Sequence, residues 1–192
     1  MVEALALIEL DSVARGLRAV DAMVKQATVQ IHEANLVEPG KYLILFSGAV
    51  AEVEESYAAA CAVGADRVVE RMLLPVVHPG VTRGLMGVTD VDEPDCVGVV
   101  EGRHVAGLLE ACDRSLKDAD VQLCGLRVAG SLGGKAYYVV HGAQHDVEAA
   151  LAAGERVLAK RGSLFAIERI ARPHPEFLVW LLRPPPFRPG GL

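Results

Sequence analysis

The pattern with the most chemical promise is a Gly-Lys pair following a flexible turn, and it occurs twice, as Gly40-Lys41 and Gly134-Lys135. The second copy, Gly130-Ser131-Leu132-Gly133-Gly134-Lys135, invites a phosphate-cradling reading. That chemistry needs a first Gly where Ala129 stands and a Ser or Thr ligand for magnesium where Ala136 stands, so the motif fails. His141 and His145 are four apart but straddle a strand-to-helix turn, and His32, His78, His104 and His174 have no partners at ligand spacing. Cys61, Cys96, Cys112 and Cys124 form no C-x-x-C pair, which leaves no zinc or iron–sulfur site of usual spacing and favours buried or half-buried thiols in a reducing compartment. No Ser/His/Asp or Cys/His arrangement stands out, so no metal, no cofactor and no catalysis are expected.

Composition narrows the class further. The 192 residues are 52% hydrophobic with a mean hydropathy of +0.30, yet no apolar run reaches the length of a membrane span. Residues 1–4 carry no basic leader region, so export is not expected. The net charge of −6 argues against nucleic acid, which needs clustered Lys and Arg for its phosphates. An apolar, Ala-rich, acidic chain of this length points to wide surfaces between subunits.

The elements that must carry the Gly-Lys turns follow from punctuation and periodicity. Residues 4–10 read as a strand, and Asp11 or Ser12 can cap a helix in which Val13, Leu17, Val20 and Val24 recur at helical spacing. A strand over 29–34, the Glu38-Pro39-Gly40 turn and a strand over 42–46 come next. A second helix over 50–63 puts Val53, Tyr57, Ala60 and Cys61 on one face, with Glu52, Glu55 and Ser56 outside, and a strand over 67–74 closes the unit. The order is βαββαβ. The Pro- and Gly-rich, acidic stretch 79–95 reads as a linker, after which the same order restarts at Cys96. From Phe177 an apolar patch with the one Trp, Trp180, runs into a Pro-rich tail, read as an extended arm packed on a neighbour. The expected domains are therefore 1–78 and 96–176, with a tail over 177–192.

The repeat is directly testable. Sliding residues 5–31 by 92 matches Glu9 to Glu101, Val13 to Val105, Leu17 to Leu109, Asp21 to Asp113 and Lys25 to Lys117, among 10 identities in 27. A slide of 94 matches Gly40-Lys41, Gly48-Ala49, Val53-Glu54 and Ala58-Ala59 to their counterparts, 8 in 22. The chain is a duplication.

Three features carry a resemblance to a known family. One is the run Asp21-Ala22-Met23-Val24-Lys25-Gln26-Ala27-Thr28-Val29, echoed from Asp113 to Val121; the others are the Gly-rich turn in both halves and the closing Ala171-Arg172-Pro173-His174. Together they resemble the tandem-domain shell proteins of bacterial microcompartments, over nearly the whole chain. The resemblance implies an α/β (α+β) fold of two ferredoxin-like units, each βαββαβ with an antiparallel sheet. It implies a non-enzymatic homotrimer of hexagonal outline in a single-layer tile. That tile would lie in the cytoplasm, beside hexameric and pentameric shell proteins, with neither membrane nor nucleic acid as partner.

The same resemblance assigns site residues. Val37, Glu38 and Pro39 of the first repeat and Ser131, Leu132 and Gly133 of the second would line a central pore for small metabolites. Lys25, Lys117, Arg172 and His174 would meet neighbouring tiles at the edges. Repeat one reads Leu74-Pro75-Val76-Val77-His78 there, without the arginine. Some relatives place a Cys before Pro-Gly-Lys to hold an iron–sulfur cluster; here Glu38 stands instead, so a carboxylate ring replaces the cluster. The competing readings are a small-molecule sensor of tandem ferredoxin-like domains and an electron-transfer shell protein with a metal cluster in the pore.

Overall fold

The computed structural model describes residues 3–88, 95–130 and 132–181. β1 (Ala4–Leu10), α1 (Val13–Gln26), β2 (Gln30–Val37), β3 (Lys41–Gly48), α2 (Val50–Gly64) and β4 (Val68–Leu74) build the first unit. After α3 (Pro79–Leu85), the second unit repeats the order with β5 (Cys96–Gly102), α4 (Val105–Asp118), β6 (Gln122–Val128), β7 (Ala136–Gly142), α5 (Gln144–Lys160) and β8 (Leu164–Ala171), and α6 (Pro175–Leu181) follows. Each unit has one antiparallel four-stranded sheet, ordered β2-β3-β1-β4 and β6-β7-β5-β8. The expected fold class is the observed one.

The registers show how faithful the duplication is. Leu5 faces Leu74 across β1–β4, and Val97, 92 positions on (97 − 5), faces Ile170 across β5–β8, 96 positions on (170 − 74). The 96-residue offset continues into the last helices, since Pro79–Leu85 and Pro175–Leu181 both differ by 96 (175 − 79 and 181 − 85).

Three sequence readings change. The stretch expected to be linker begins with α3: Pro79 sits at its first position, where its missing N–H costs nothing, and the His78 ring accepts the Gly80 N–H at 3.1 Å. Val81 and Gly84 are buried as α3 packs on β6 and α4. The tail likewise opens with α6, started by Pro175 in the same way; residues 89–94 and 182–192 lie outside the described part of the chain. Ser56 is fully buried rather than exposed, because its hydroxyl donates to the Met23 carbonyl at 3.0 Å and joins α2 to α1.

The most consequential feature is one the spacing alone left open. α1 buries Gly16, Ala19 and Met23, while Val13, Leu17 and Val24 are 38%, 57% and 48% exposed. Gly16 sets this choice: a Cβ there would collide with the Tyr42 ring, so α1 approaches the sheet through its smallest residue and its larger apolar stripe faces outward. On α4 the counterparts Val105, Leu109, Cys112 and Leu116 are buried, because α4 lies between its own unit and strands β1 and β4 of the first.

Candidate functional site

The two Gly-Lys turns come together. The β2–β3 turn is closed by Gly40 N–H donating to the Val37 carbonyl at 3.0 Å, with Gly40 at φ 96°, which a side chain would strain. In the β6–β7 turn Lys135 N–H donates to the Leu132 carbonyl at 3.2 Å. A Cβ on Gly134 would lie 2.8 Å from the Glu38 carbonyl oxygen and 3.0 Å from Pro39 Cδ, so the two turns lie in contact across the seam between the units. Glu38, Pro39 and Gly133 are exposed, and Val37 and Leu132 are half-buried. Ser131 lies outside the described residues.

Behind the turns sits a polar cluster that the sequence reading missed. Glu9 is fully buried; one carboxylate oxygen accepts the Ala106 N–H at the start of α4 at 2.8 Å, and the other accepts from Lys41 Nζ at 3.0 Å. The same ammonium lies 2.8 Å from His104 Nδ1. A buried carboxylate aimed at a helix N-terminus is stabilised by both the free amide and the helix dipole. Alongside, Glu70 accepts the Gly107 N–H at 3.2 Å, and Arg161 reaches Glu70, Glu110 and the Arg71 carbonyl. The ligand atoms of Glu9, Glu70 and His104 lie within 4.8 Å of one another, a grouping that could hold a metal ion. Lys41 already bonds two of the three, so its ammonium supplies the charge that a cation would bring. The signal available in the sequence was the recurrence of Glu9 as Glu101 and Lys41 as Lys135 at matching offsets.

The edge candidates fall in different surroundings. Lys25 is an exposed helix residue paired with Asp21 at 2.7 Å. Lys117 is drawn into the seam: it pairs with Asp113 at 2.6 Å and donates to the Val76 carbonyl at 2.5 Å, while Asp113 also accepts the His78 N–H at 2.7 Å. Arg172 and His174 are exposed. Arg172 adopts φ 48° and its N–H donates to the Asp95 carbonyl at 2.8 Å, and the His174 ring accepts the Glu176 N–H at 3.3 Å.

Of the four free cysteines, three are buried and Cys61 is half-buried. Burial holds the Cys96 thiol above its ordinary range and pushes Cys124 to about 12. Burial raises Cys112 further still, with the Asp113 carboxylate beside it adding to the effect. The described residues contain no helix long and apolar enough to cross a membrane.

Two copies of one βαββαβ unit, joined through a helix-on-sheet seam with their turns side by side, define a tandem-repeat protein. Residues 4–77 and 96–173 each match the BMC domain, and the chain belongs to that family of microcompartment shell proteins. It is 34% identical over 174 residues to the bacterial microcompartment shell protein PduT of Citrobacter freundii, covering 91% of this chain and 95% of that one. One repeat's worth, 80 residues or 42% of this chain, is 34% identical to the shell protein EutM of Salmonella typhimurium, 81% of whose length it covers. The solved structure of a microcompartment protein from Desulfitobacterium hafniense superposes with a TM-score of 0.81 at 35% identity, over 93% of this chain and 99% of that one. The chain is thus a structural tandem-domain shell protein and not an enzyme.

Proposed function

We propose that three copies close into a ring of hexagonal outline that tiles a microcompartment facet in the cytoplasm, beside other shell proteins, with a metabolite opening at its centre. One observation carries the reading: α4 is buried against sheet β2-β3-β1-β4, while α1, its counterpart, leaves Val13, Leu17 and Val24 open. One chain therefore holds one satisfied helix-on-sheet seam and one unsatisfied helix. Pairing α1 of each copy with the sheet β6-β7-β5-β8 of the next repeats the seam head to tail, which closes a ring when the rotation permits. Two units per chain make three chains a six-unit ring. The adjoining turns would then converge, placing Val37, Glu38, Pro39, Ser131, Leu132 and Gly133 around the axis.

Sedimentation equilibrium tests the ring, with a mass of about three times the 20.4 kDa chain expected. A monomer at micromolar concentration would overturn it. Electron microscopy tests the tile: hexagonal sheets or tubes are expected, and discrete dimers whose stability shifts with a metabolite would favour the sensor instead.

A further inference from the structure

We infer that α6 is an inter-subunit latch, seating Trp180 against Ala34 on strand β2 of a second copy of this chain. The inference rests on the ring proposed above and names a contact within it. Its template is present inside one chain. α3, which follows β4, lies across β6 and α4 of the other unit, and the contact is made through Gly84: a Cβ there would collide with Leu123 Cδ2 and lie 3.3 Å from Leu126 Cβ. One turn earlier, a Cβ on Gly80 would lie 3.0 Å from Leu116 Cδ1. Two glycines thus let α3 lie down on three leucines.

Each of these residues has a counterpart. At the 96-residue offset Gly84 becomes Trp180 (180 − 84) and Gly80 becomes Glu176 (176 − 80). At the 92-residue offset Leu126 becomes Ala34, Leu123 becomes Ile31 and Leu116 becomes Val24. The registers agree, since Leu126 faces Tyr138 and Leu123 faces Val140, as Ala34 faces Ile44 and Ile31 faces Phe46, each partner 94 positions apart. The sizes exchange: glycine against leucine within the chain becomes tryptophan against alanine between chains. Summed volume is what close packing conserves, and a large residue moved from one side of a contact to the other keeps it filled.

The exposures agree with a contact between copies. Trp180 and Val179 on α6 are 67% and 69% exposed, whereas Leu181 packs inward on Val97, Cys124 and Val139 and fixes the helix on its own unit. On the seat, Ile31 and Val24 are 36% and 48% exposed, while Leu123 and Leu116 beneath α3 are buried. A polar counterpart lies alongside: Asp113 accepts the His78 N–H within the chain, and the equivalent pair is an exposed Asp21 and the exposed His174. These matches commit the seat to a second copy rather than to a foreign helix.

The size exchange supplies its own test, read as the trimer dissociation midpoint by dilution. Ala34→Leu should crowd Trp180 and Trp180→Gly should leave a void, each lowering the apparent association constant at least about tenfold per contact. The double variant Ala34→Leu, Trp180→Gly recreates the Gly84–Leu126 pairing and should recover most of the loss. A double variant no stronger than the weaker single one would overturn the latch, as would an Ala34→Leu chain that trimerises like wild type. Val24→Cys with Glu176→Cys gives a second readout that tolerates small stability losses: oxidation should yield covalently linked chains that neither single variant yields. A double-cysteine chain that trimerises without forming this crosslink leaves the ring standing and removes the latch; wild type that is monomeric removes both.

Discussion

Glu9 and Glu101 hold the same place in the two repeats, yet Glu9 is fully buried under the N-terminus of α4 while the side chain of Glu101 is 36% exposed beside Lys135, 3.7 Å away. The difference is the N-terminus of α4, which lies over Glu9. In the ring, the first amides of α1 from the next copy would meet Glu101 as Ala106 meets Glu9. Glu9→Ala should therefore damage the fold, leaving the Lys41 cation and the Ala106 amide without their carboxylate at a cost of about 3 kcal/mol. Glu101→Ala should cost the isolated chain under about 1 kcal/mol, as exposed pairs do, and act instead on trimer formation. Urea unfolding and sedimentation separate the two effects; equal losses of fold stability would refute the assignment.

The two lysines of the Asp-x-x-x-Lys runs should likewise part company. Lys25 is 72% exposed, so Lys25→Ala should shift stability by only a few tenths of a kcal/mol and abolish sheets while leaving trimers intact, as a tile-edge residue would. Lys117→Ala removes a bond to the Val76 carbonyl and the partner of Asp113, and should cost about 1 kcal/mol. Sheets formed by Lys25→Ala protein under electron microscopy would remove Lys25 from the edge.

What was legible in the sequence was what periodicity and punctuation encode. Both βαββαβ units and the duplicated turns could be read, because strands, helices and Gly turns leave local patterns. The outward stripe of α1 was not, since the spacing of Val13, Leu17, Val20 and Val24 says that a face is apolar and not whether it is covered within one chain. α3 and α6 were hidden by Pro79 and Pro175, which look like breaks yet suit a first helical position. The Glu9–Lys41–His104 cluster joins residues from both units, and only the fold brings them together.

The cysteines predict an order of reactivity. At pH 8 a thiol reagent should modify Cys61 in the folded protein well before Cys96, Cys112 and Cys124, whose burial disfavours the reactive thiolate. The linkage has a definite sign. For Cys124 the folded value near 12 exceeds the reference value of 9.0, so between those values the folded state holds a proton the unfolded state has lost. Its contribution is complete below pH 9 and declines as pH rises toward 12. Cys124→Ala should flatten that part of the pH–stability curve, and an unchanged slope would count against it.

The last prediction concerns passage through the ring. Glu38 is exposed on a turn that touches the Gly133-Gly134 turn of the other unit, so three copies would place three carboxylates around the axis, between Pro39 and Leu132. A ring of carboxylates with little screening between them attracts cations and opposes small anions. Lys41, two residues past Pro39, does not cancel that field, because its charge is already held by buried Glu9. Shells assembled from wild type should therefore admit cationic and neutral polar metabolites faster than anionic ones of equal size. Glu38→Gln keeps the shape and removes the charge, so it should raise anion passage severalfold while leaving neutral solutes unchanged. Equal anion rates in both shells would show that Glu38 faces away from the axis.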